Sequence, residues 1–223
     1  MKSAFQSHRS SIVPIILIIA IALMIRTFGY GLYRVPSQSM ETTMLVGEFF
    51  FADKFCILFW PPVHGDIVAF NDPTYAYSNN KLINLFQRVA WGPSNWTKRV
   101  VGIPGDHVRG VIENGRSVVY RNKIKLNEPY ANQHRHDVQE QKSNGIDEFD
   151  VQLGYNEYWV MGDNRGNSYD SRSFGPLNGI LMHGKIIFRI ASTDNDVSLW
   201  KAIVHPMNFA KSIRWDRCAQ RVV

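Results

Sequence analysis

The chain has 223 residues, a hydrophobic fraction of 45% and a formal net charge of +6. That is enough for one substantial core with at most a small satellite. No long Lys/Arg tract stands in the middle of the chain, so the basic balance does not call for nucleic acid. Two cysteines, Cys56 and Cys218, make neither a disulfide framework nor a zinc site; whether they pair is left open.

In chain order, the first feature is "IVPIILIIAIALMI", Ile12 to Ile25, an uncharged run preceded by Lys2 and Arg9. A basic region before an apolar one is shared by cleaved secretory signals and by retained signal anchors. Fourteen helical residues reach only about 21 Å, against a hydrocarbon core of about 30 Å. Continuing the helix through "RTFGYGL" to Leu32, with Arg26 reaching the interface, supplies the missing length. No A-x-A-like cleavage site follows, so a retained anchor is expected. Lys2 and Arg9 then place the N-terminus in the cytoplasm and the remainder outside. A buried core helix is disfavoured by Pro14 and by the terminal position.

Beyond Leu32 the pattern turns from helical to β. "GEFFFADKF" and "GDIVAFNDP" are short apolar runs between Gly, Asp and Pro. "KRVVGIPGDHVRGVIENGRSVVYRNKIKLNEPY" reads as a meander, with Asn114-Gly115 as a hairpin signal. "YNEYWVMGDNRGNSYDSRSFGP" reads as a strand and a polar loop, and "GKIIFRIAS" as another strand. The expectation is a mostly-β domain whose strands cross between sheets. Two segments stand apart. The aromatic-rich stretch from Thr74 to Trp96 accommodates a short helix around Lys81 to Trp91. It is either an ordinary insertion or a contact with the lipid interface, where Trp and Tyr are favoured. The polar stretch from Ala131 to Asp147 reads as an exposed loop. Its His134 and His136 lack a third ligand at suitable spacing, so no metal is expected.

The chemistry begins at "YRVPSQSM", where Ser37 and Ser39 follow Pro36 just after the apolar run. Serine is a weak nucleophile without a base. No G-x-S-x-G pattern accompanies the seven histidines, and no S-x-x-K stands near the anchor. A Ser-Lys pair remains. A lysine base must be neutral, and burial lowers its pKa, so the lysine is sought inside an apolar strand. Lys98 in "NWTKRVVGIPGD" fits, with alternation placing it on the opposite face from Arg99. Taken alone it reads more readily as a surface lysine on an edge strand.

The ordered set of motifs resembles the type I signal peptidases, membrane-bound serine proteases that remove signal peptides from exported proteins. "RTFGYGLYRVPSQSM" is similar to the family's anchor exit and nucleophile box, "KRVVGIPGD" to its lysine box and "MGDNRGNSYDSR" to its G-D-N-R-x-N-S-x-D-S-R box. "GPLNGILMHGKIIFRI" is similar to the closing strand. The resemblance implies Ser39 as nucleophile and Lys98 as general base. Ser37 would complete an oxyanion hole with the Ser39 N–H, and Ser168 would orient the lysine. Asp170 with Arg172 would form a supporting ion pair, Asp163 and Arg99 would be further supports, and Met40 would line the substrate groove. It implies no cofactor.

The implied fold is mostly β, with antiparallel sheets forming a barrel-like signal-peptidase/LexA-like catalytic domain and one N-terminal transmembrane helix. Residues 1–32 would be the cytoplasmic N-terminus and anchor, 33–105 and 155–223 the catalytic core, and 106–154 a smaller hairpin subdomain. The partners would be preprotein signal peptides cut after small residues, as in Ala-x-Ala, and the lipid bilayer. The place would be the bacterial plasma membrane, with the catalytic domain outside. Thr42-Thr43 stand where the family usually has Pro-Thr, and Gly166 replaces an acidic residue. These departures, with the long 74–96 stretch, leave room for a dedicated maturation protease of a conjugation or pilus-type substrate. Self-cleaving LexA-type repressors share the dyad logic, but would carry a DNA-binding domain and no anchor. A peptide-binding domain with a dead site is disfavoured by the presence of Ser39, Lys98 and Ser168.

Overall fold

The computed structural model describes residues 2–89, 94–114, 116–132, 148–193 and 210–222. The loop carrying His134 and His136 lies outside them. Helix α1 (Lys2–Met24) is followed by a π-helical turn, Ile25–Gly29, and then by strand β1 (Tyr30–Arg34). The expected continuation of the helix to Leu32 is therefore corrected. Tyr30 to Arg34 pair residue for residue with β2 (Phe49–Asp53), and the Tyr30 ring stacks on Phe51 at 4.8 Å. Gly29 and Gly31 weaken the helix here, and the Tyr33 ring lies where a Cβ on Gly31 would stand, 2.5 Å away. No described helix is by itself long and apolar enough to cross a membrane. The apolar side chains of α1 from Val13 onward are nonetheless largely exposed.

The run after β2 also departs from expectation. Lys54–Phe59 form helix α2, whose first turn is capped by Asp53 Oδ1 accepting from the Cys56 amide at 2.8 Å. β3 (Ile67–Asn71) leads into the insertion, where α3 spans Lys81–Val89, and β4 (Asn95–Gly102) returns from it. β5 (His107–Glu113) and β6 (Arg116–Arg121) form a hairpin across Asn114, whose φ of +50° is the left-handed conformation such a turn requires. β7 (Ile124–Lys125), β8 (Phe149–Gln152) and β9 (Glu157–Met161) follow. The short helix α4 (Ser171–Phe174), β10 (Leu177–Asn178), β11 (Met182–Ala191) and β12 (Gln220–Arg221) complete the described elements.

The described strands are antiparallel throughout and form two sheets. The larger runs β1-β2-β11-β3-β4-β9-β10, with β12 beside β11; the smaller runs β7-β6-β5-β8. The barrel-like expectation is corrected here. Among the described residues the larger sheet ends on β1 and β10, with no pairing between them to close it.

β3 shows how the alternation of a strand separates two cores. Ile67 and Ala69 pack with Val35, Met40, Met44, Phe50 and Ile186, while Val68 and Phe70 pack with Val100, Tyr158, Val160 and Leu177. A third cluster, including Val101, Val108, Val119 and Trp159, fastens the smaller sheet to β4 and β9. Cys56 and Cys218 are both free thiols.

Candidate active site

The site is assembled from three segments distant in sequence. The first is the stretch after β1. Pro36 and an extended Ser37 (φ −137°) lead into a single 3₁₀ turn, Gln38–Met40, that presents Ser39. The second is β4, whose register sets Lys98 opposite Val68 and Arg99 opposite Ile67, so the two cations leave the strand on opposite faces. The third is the polar loop after β9, which carries Asn164, Ser168 and Asp170.

Lys98 Nζ donates to Ser39 Oγ at 2.9 Å and to the Thr97 carbonyl at 3.2 Å. The lysine is 5% exposed. Burial pulls its pKa down to about 8, although Asp170 and Asp163 nearby oppose the shift. Both of its hydrogen-bond acceptors are neutral. The amine thus sits in hydrogen-bond reach of a serine hydroxyl with a lowered cost of deprotonation, which is the condition for a general base. Ser37 Oγ lies 3.4 Å from Ser39 Oγ.

Ser168 is brought to the same place. Its Oγ is buried and makes no hydrogen bond to Lys98. It lines the same cavity as Lys98 and Ser39. Burial pushes the Asp170 carboxyl up, but hydrogen bonds and charge from Arg172 outweigh it, with the Gly162 N–H and Ser168 adding to the net lowering. Arg172 meets Asp170 through two bonds of 2.9 Å. On the other face of β4, Arg99 makes bonds of 2.9 and 2.8 Å to the two oxygens of Asp163. Its guanidinium stacks on Tyr130 at 4.0 Å. Met40 is 2% exposed and belongs both to the core and to the cavity wall.

Several residues of the site were given no role in the sequence reading, although some lie inside the motifs it quotes. Asn164 clamps the nucleophile turn, its N–H donating to the Ser39 carbonyl and its Nδ2 to the Gln38 carbonyl, each at 3.1 Å. Thr43 Oγ1 donates to Asp163 at 2.6 Å, tying the chain beyond the nucleophile to the Arg99 pair. Gly162 is the point of closest approach. A Cβ there would stand 2.2 Å from Ser168 Oγ and 2.5 Å from the Ser39 carbonyl oxygen, so only glycine fits without displacing one of them. Glu48, fully buried, gathers Arg189, Arg217, Ser192 and the Leu45 amide. Its partners come from β11 and the C-terminal segment, too far away in sequence for any local pattern to announce them.

A cavity of about 630 Å³ opens over Ser39 and Lys98. Its walls are the Leu32–Met40 segment and the Ser94–Lys98 edge of β4, with Ser168 and Tyr169 at the end. β9 pairs with β4 only from Arg99 onward, so Asn95 to Lys98 have a partner on the β3 side alone. An extended chain in the cavity would meet this open strand edge. Among the described residues no cluster of His, Cys, Asp and Glu could hold a metal ion.

The family model described as "Signal peptidase, peptidase S26" matches residues 8–191. Signal peptidase I S of Bacillus subtilis (strain 168) is 32% identical over 184 residues, covering 78% of this chain and 85% of that protein. Probable signal peptidase I-1 of Synechocystis sp. is 31% identical over 194 residues, covering 86% and 88%. A crystal structure of a signal peptidase I from Enterococcus faecalis V583 aligns with a TM-score of 0.39 at 24% identity, covering 56% of this chain and 95% of that one. The chain belongs to the signal peptidase family, peptidase S26, and is a serine endopeptidase.

Proposed function

We propose that this protein removes signal peptides from preproteins at the outer face of a bacterial plasma membrane, with Ser39 as nucleophile and Lys98 as general base. The observation that carries the reading is the 2.9 Å contact between a buried amine and the Ser39 hydroxyl, in a chain whose relatives are named signal peptidases. An extended preprotein lies in the cavity along the open edge of β4. Neutral Lys98 takes the Ser39 proton as Oγ attacks the carbonyl carbon of the scissile bond. The oxyanion that forms is met by the Ser39 N–H and the Ser37 hydroxyl. The Lys98 ammonium then passes its proton to the leaving amine, which departs as the new N-terminus of the mature protein. Water, deprotonated by Lys98, then attacks the acyl carbon; the ester bond to Ser39 Oγ breaks, Lys98 returns the proton to Oγ, and the signal peptide leaves as a carboxylic acid.

Asp170 with Arg172, and Asp163 with Arg99, hold the surroundings of the dyad. Ser168, which shares the cavity wall with Lys98, orients the amine. Val35, Met40 and Met44 give the cavity an apolar wall, in keeping with small apolar side chains before the cut. The exposed apolar half of α1 is an anchor in this reading, entered from the cytoplasmic side behind Lys2 and Arg9. The test is cleavage of a panel of preproteins by the purified full chain and by its Ser39→Ala variant. Release of mature protein by the parent alone supports the reading; equal processing by both refutes it.

A further inference from the structure

Helix α3 is turned inside out. Its polar side chains face inward onto the loop before it. Asn84 Nδ2 donates to the Ser78 carbonyl at 3.1 Å, and Gln87 accepts from the Ser78 amide at 3.0 Å and donates to the Tyr75 hydroxyl at 3.3 Å. Its apolar side chains face outward: Leu82, Ile83, Leu85 and Phe86 are 78, 50, 59 and 56% exposed. A helix of nine residues has little stability of its own and depends on burying its apolar face. That burial has to come from outside the chain's own core.

The strand registers indicate what supplies it. Asn71 faces Asn95 and Phe70 faces Met182, so the insertion leaves the larger sheet at the end where β11 begins. Asp53 faces both Lys185 and Tyr30, so α2 leaves the sheet at that same end and α1 enters there. α2 carries its own exposed apolar group, with Phe55, Leu58, Phe59 and the following Trp60 all more than half exposed. The outward apolar faces of three helices therefore share one end of the sheet. The segments 54–65 and 74–96 contain Lys54, Lys81 and Arg88 and no Asp or Glu. Aromatic and aliphatic side chains with scattered cations and no acids match a lipid headgroup interface with anionic lipid in it.

We propose that α3 is an interfacial helix, seated with its Leu82–Phe86 face in the headgroup region of an anionic bilayer. This rests on the anchored reading given above, from which it takes the position of the bilayer. α2 lies on the same surface beside the exit of α1. Leu32 and Trp96, in the cavity wall, stand near this end of the sheet. α3 thus holds the cavity mouth against the surface from which a membrane-inserted preprotein arrives.

The test uses the full chain in vesicles of phosphatidylcholine with phosphatidylglycerol, with Cys56 and Cys218 replaced by Ser. A nitroxide is attached at Leu85→Cys or, as control, at Tyr155→Cys, a position 98% exposed in the turn between β8 and β9. Collision with oxygen is compared with collision with a water-soluble nickel complex. The label at 85 should favour oxygen severalfold, and the label at 155 should favour nickel. A Leu82→Asp, Leu85→Asp, Phe86→Asp variant should cleave a membrane-inserted preprotein severalfold more slowly while cleaving a short soluble peptide at the parent rate. Nickel access at 85 equal to that at 155 overturns the proposal, as does exclusion of both reagents, which would mean a protein partner or second copy covers the face. Undiminished cleavage of the membrane-inserted preprotein by the triple variant also overturns it. A parent protein that cleaves nothing would count against the proposed function, whereas the collision result judges α3 by itself.

Discussion

Lys98 and Arg99 are neighbours on β4, and both are almost wholly buried, at 5% and 2% exposure. Their surroundings treat them in opposite ways. Arg99 has both oxygens of Asp163, the Gly65 carbonyl at 2.9 Å and the Tyr130 ring. Lys98 has a hydroxyl and a carbonyl, and its nearest carboxylates act from a distance. A buried cation with a bidentate partner stays charged and fixes the structure. A buried amine with neutral acceptors is easier to deprotonate and becomes available for proton transfer. The lesson is that burial alone does not decide a cation's role: a guanidinium keeps its charge whatever surrounds it, whereas an amine's charge is set by burial together with the charge of its hydrogen-bond partners. One strand carries both outcomes because alternation sends adjacent residues to opposite faces.

The sharpest way to break the comparison is to remove each cation in turn. Ser39→Ala or Lys98→Ala should lower kcat/KM by roughly 10⁴-fold or more, and the double variant should be little worse than either, because groups acting as a unit are not additive. Both single variants should unfold at or above the parent's denaturant midpoint, since no buried carboxylate loses its partner. Arg99→Ala should do the reverse. It strands Asp163, which is itself fully buried, at a cost of about 3–5 kcal/mol, read as a shifted urea midpoint. Residual folded Arg99→Ala protein should retain more activity than Lys98→Ala.

Gly162→Ala tests the loop that joins the two faces. The new Cβ must displace either Ser168 or the Ser39 backbone, so kcat should fall by more than tenfold, consistent with the sensitivity of catalysis to small misplacements, while KM changes little. Ser37→Ala is the mildest perturbation. It should lower kcat by up to about 10²-fold, the scale of one oxyanion donor, with KM and thermal stability unchanged. Single-turnover kinetics with a saturating signal-peptide substrate separate these effects.

The candidate site was legible in the sequence because its residues are concentrated in motifs: Ser39 and Lys98 each sit in a short one, and the structure sets them 2.9 Å apart across 59 residues. Strand content was legible from the apolar runs, and Lys98 and Arg99 were placed on opposite faces by alternation alone. Other parts were not. α2 follows "FFFAD" with only the charged pair Asp53-Lys54 between two apolar stretches, so period could not separate strand from helix, and the Asp53 cap read as an interruption in one run. The helix was carried to Leu32 on hydropathy, but β pairing with Phe49–Asp53 claims that segment, and pairing partners are not visible locally. An open rather than closed sheet likewise depends on which strands meet at its ends. The Glu48 cluster acts through contacts between distant segments that its immediate sequence does not show, and Gly162 and Asn164, though inside the quoted G-D-N-R box, have roles visible only once that loop is packed against the Ser39 turn.

The central claim is that Lys98, and no histidine, is the base. Its pKa, lowered to about 8, means the ammonium dominates below that pH and the free amine above it. Only the free amine accepts the Ser39 proton, so kcat/KM should rise about tenfold per pH unit on the acid side and level off above the Lys98 pKa. Lys98→Arg, which stays protonated throughout, should remain inactive at every pH although circular dichroism shows it folded. The deciding measurement is kcat/KM against pH, from 5 to about 10, for the parent and Lys98→Arg. An acid limb centred near 8 in the parent and its absence in Lys98→Arg is the predicted result. An active Lys98→Arg enzyme, or a parent limb near pH 6–7, where an ordinary histidine titrates, would contradict it.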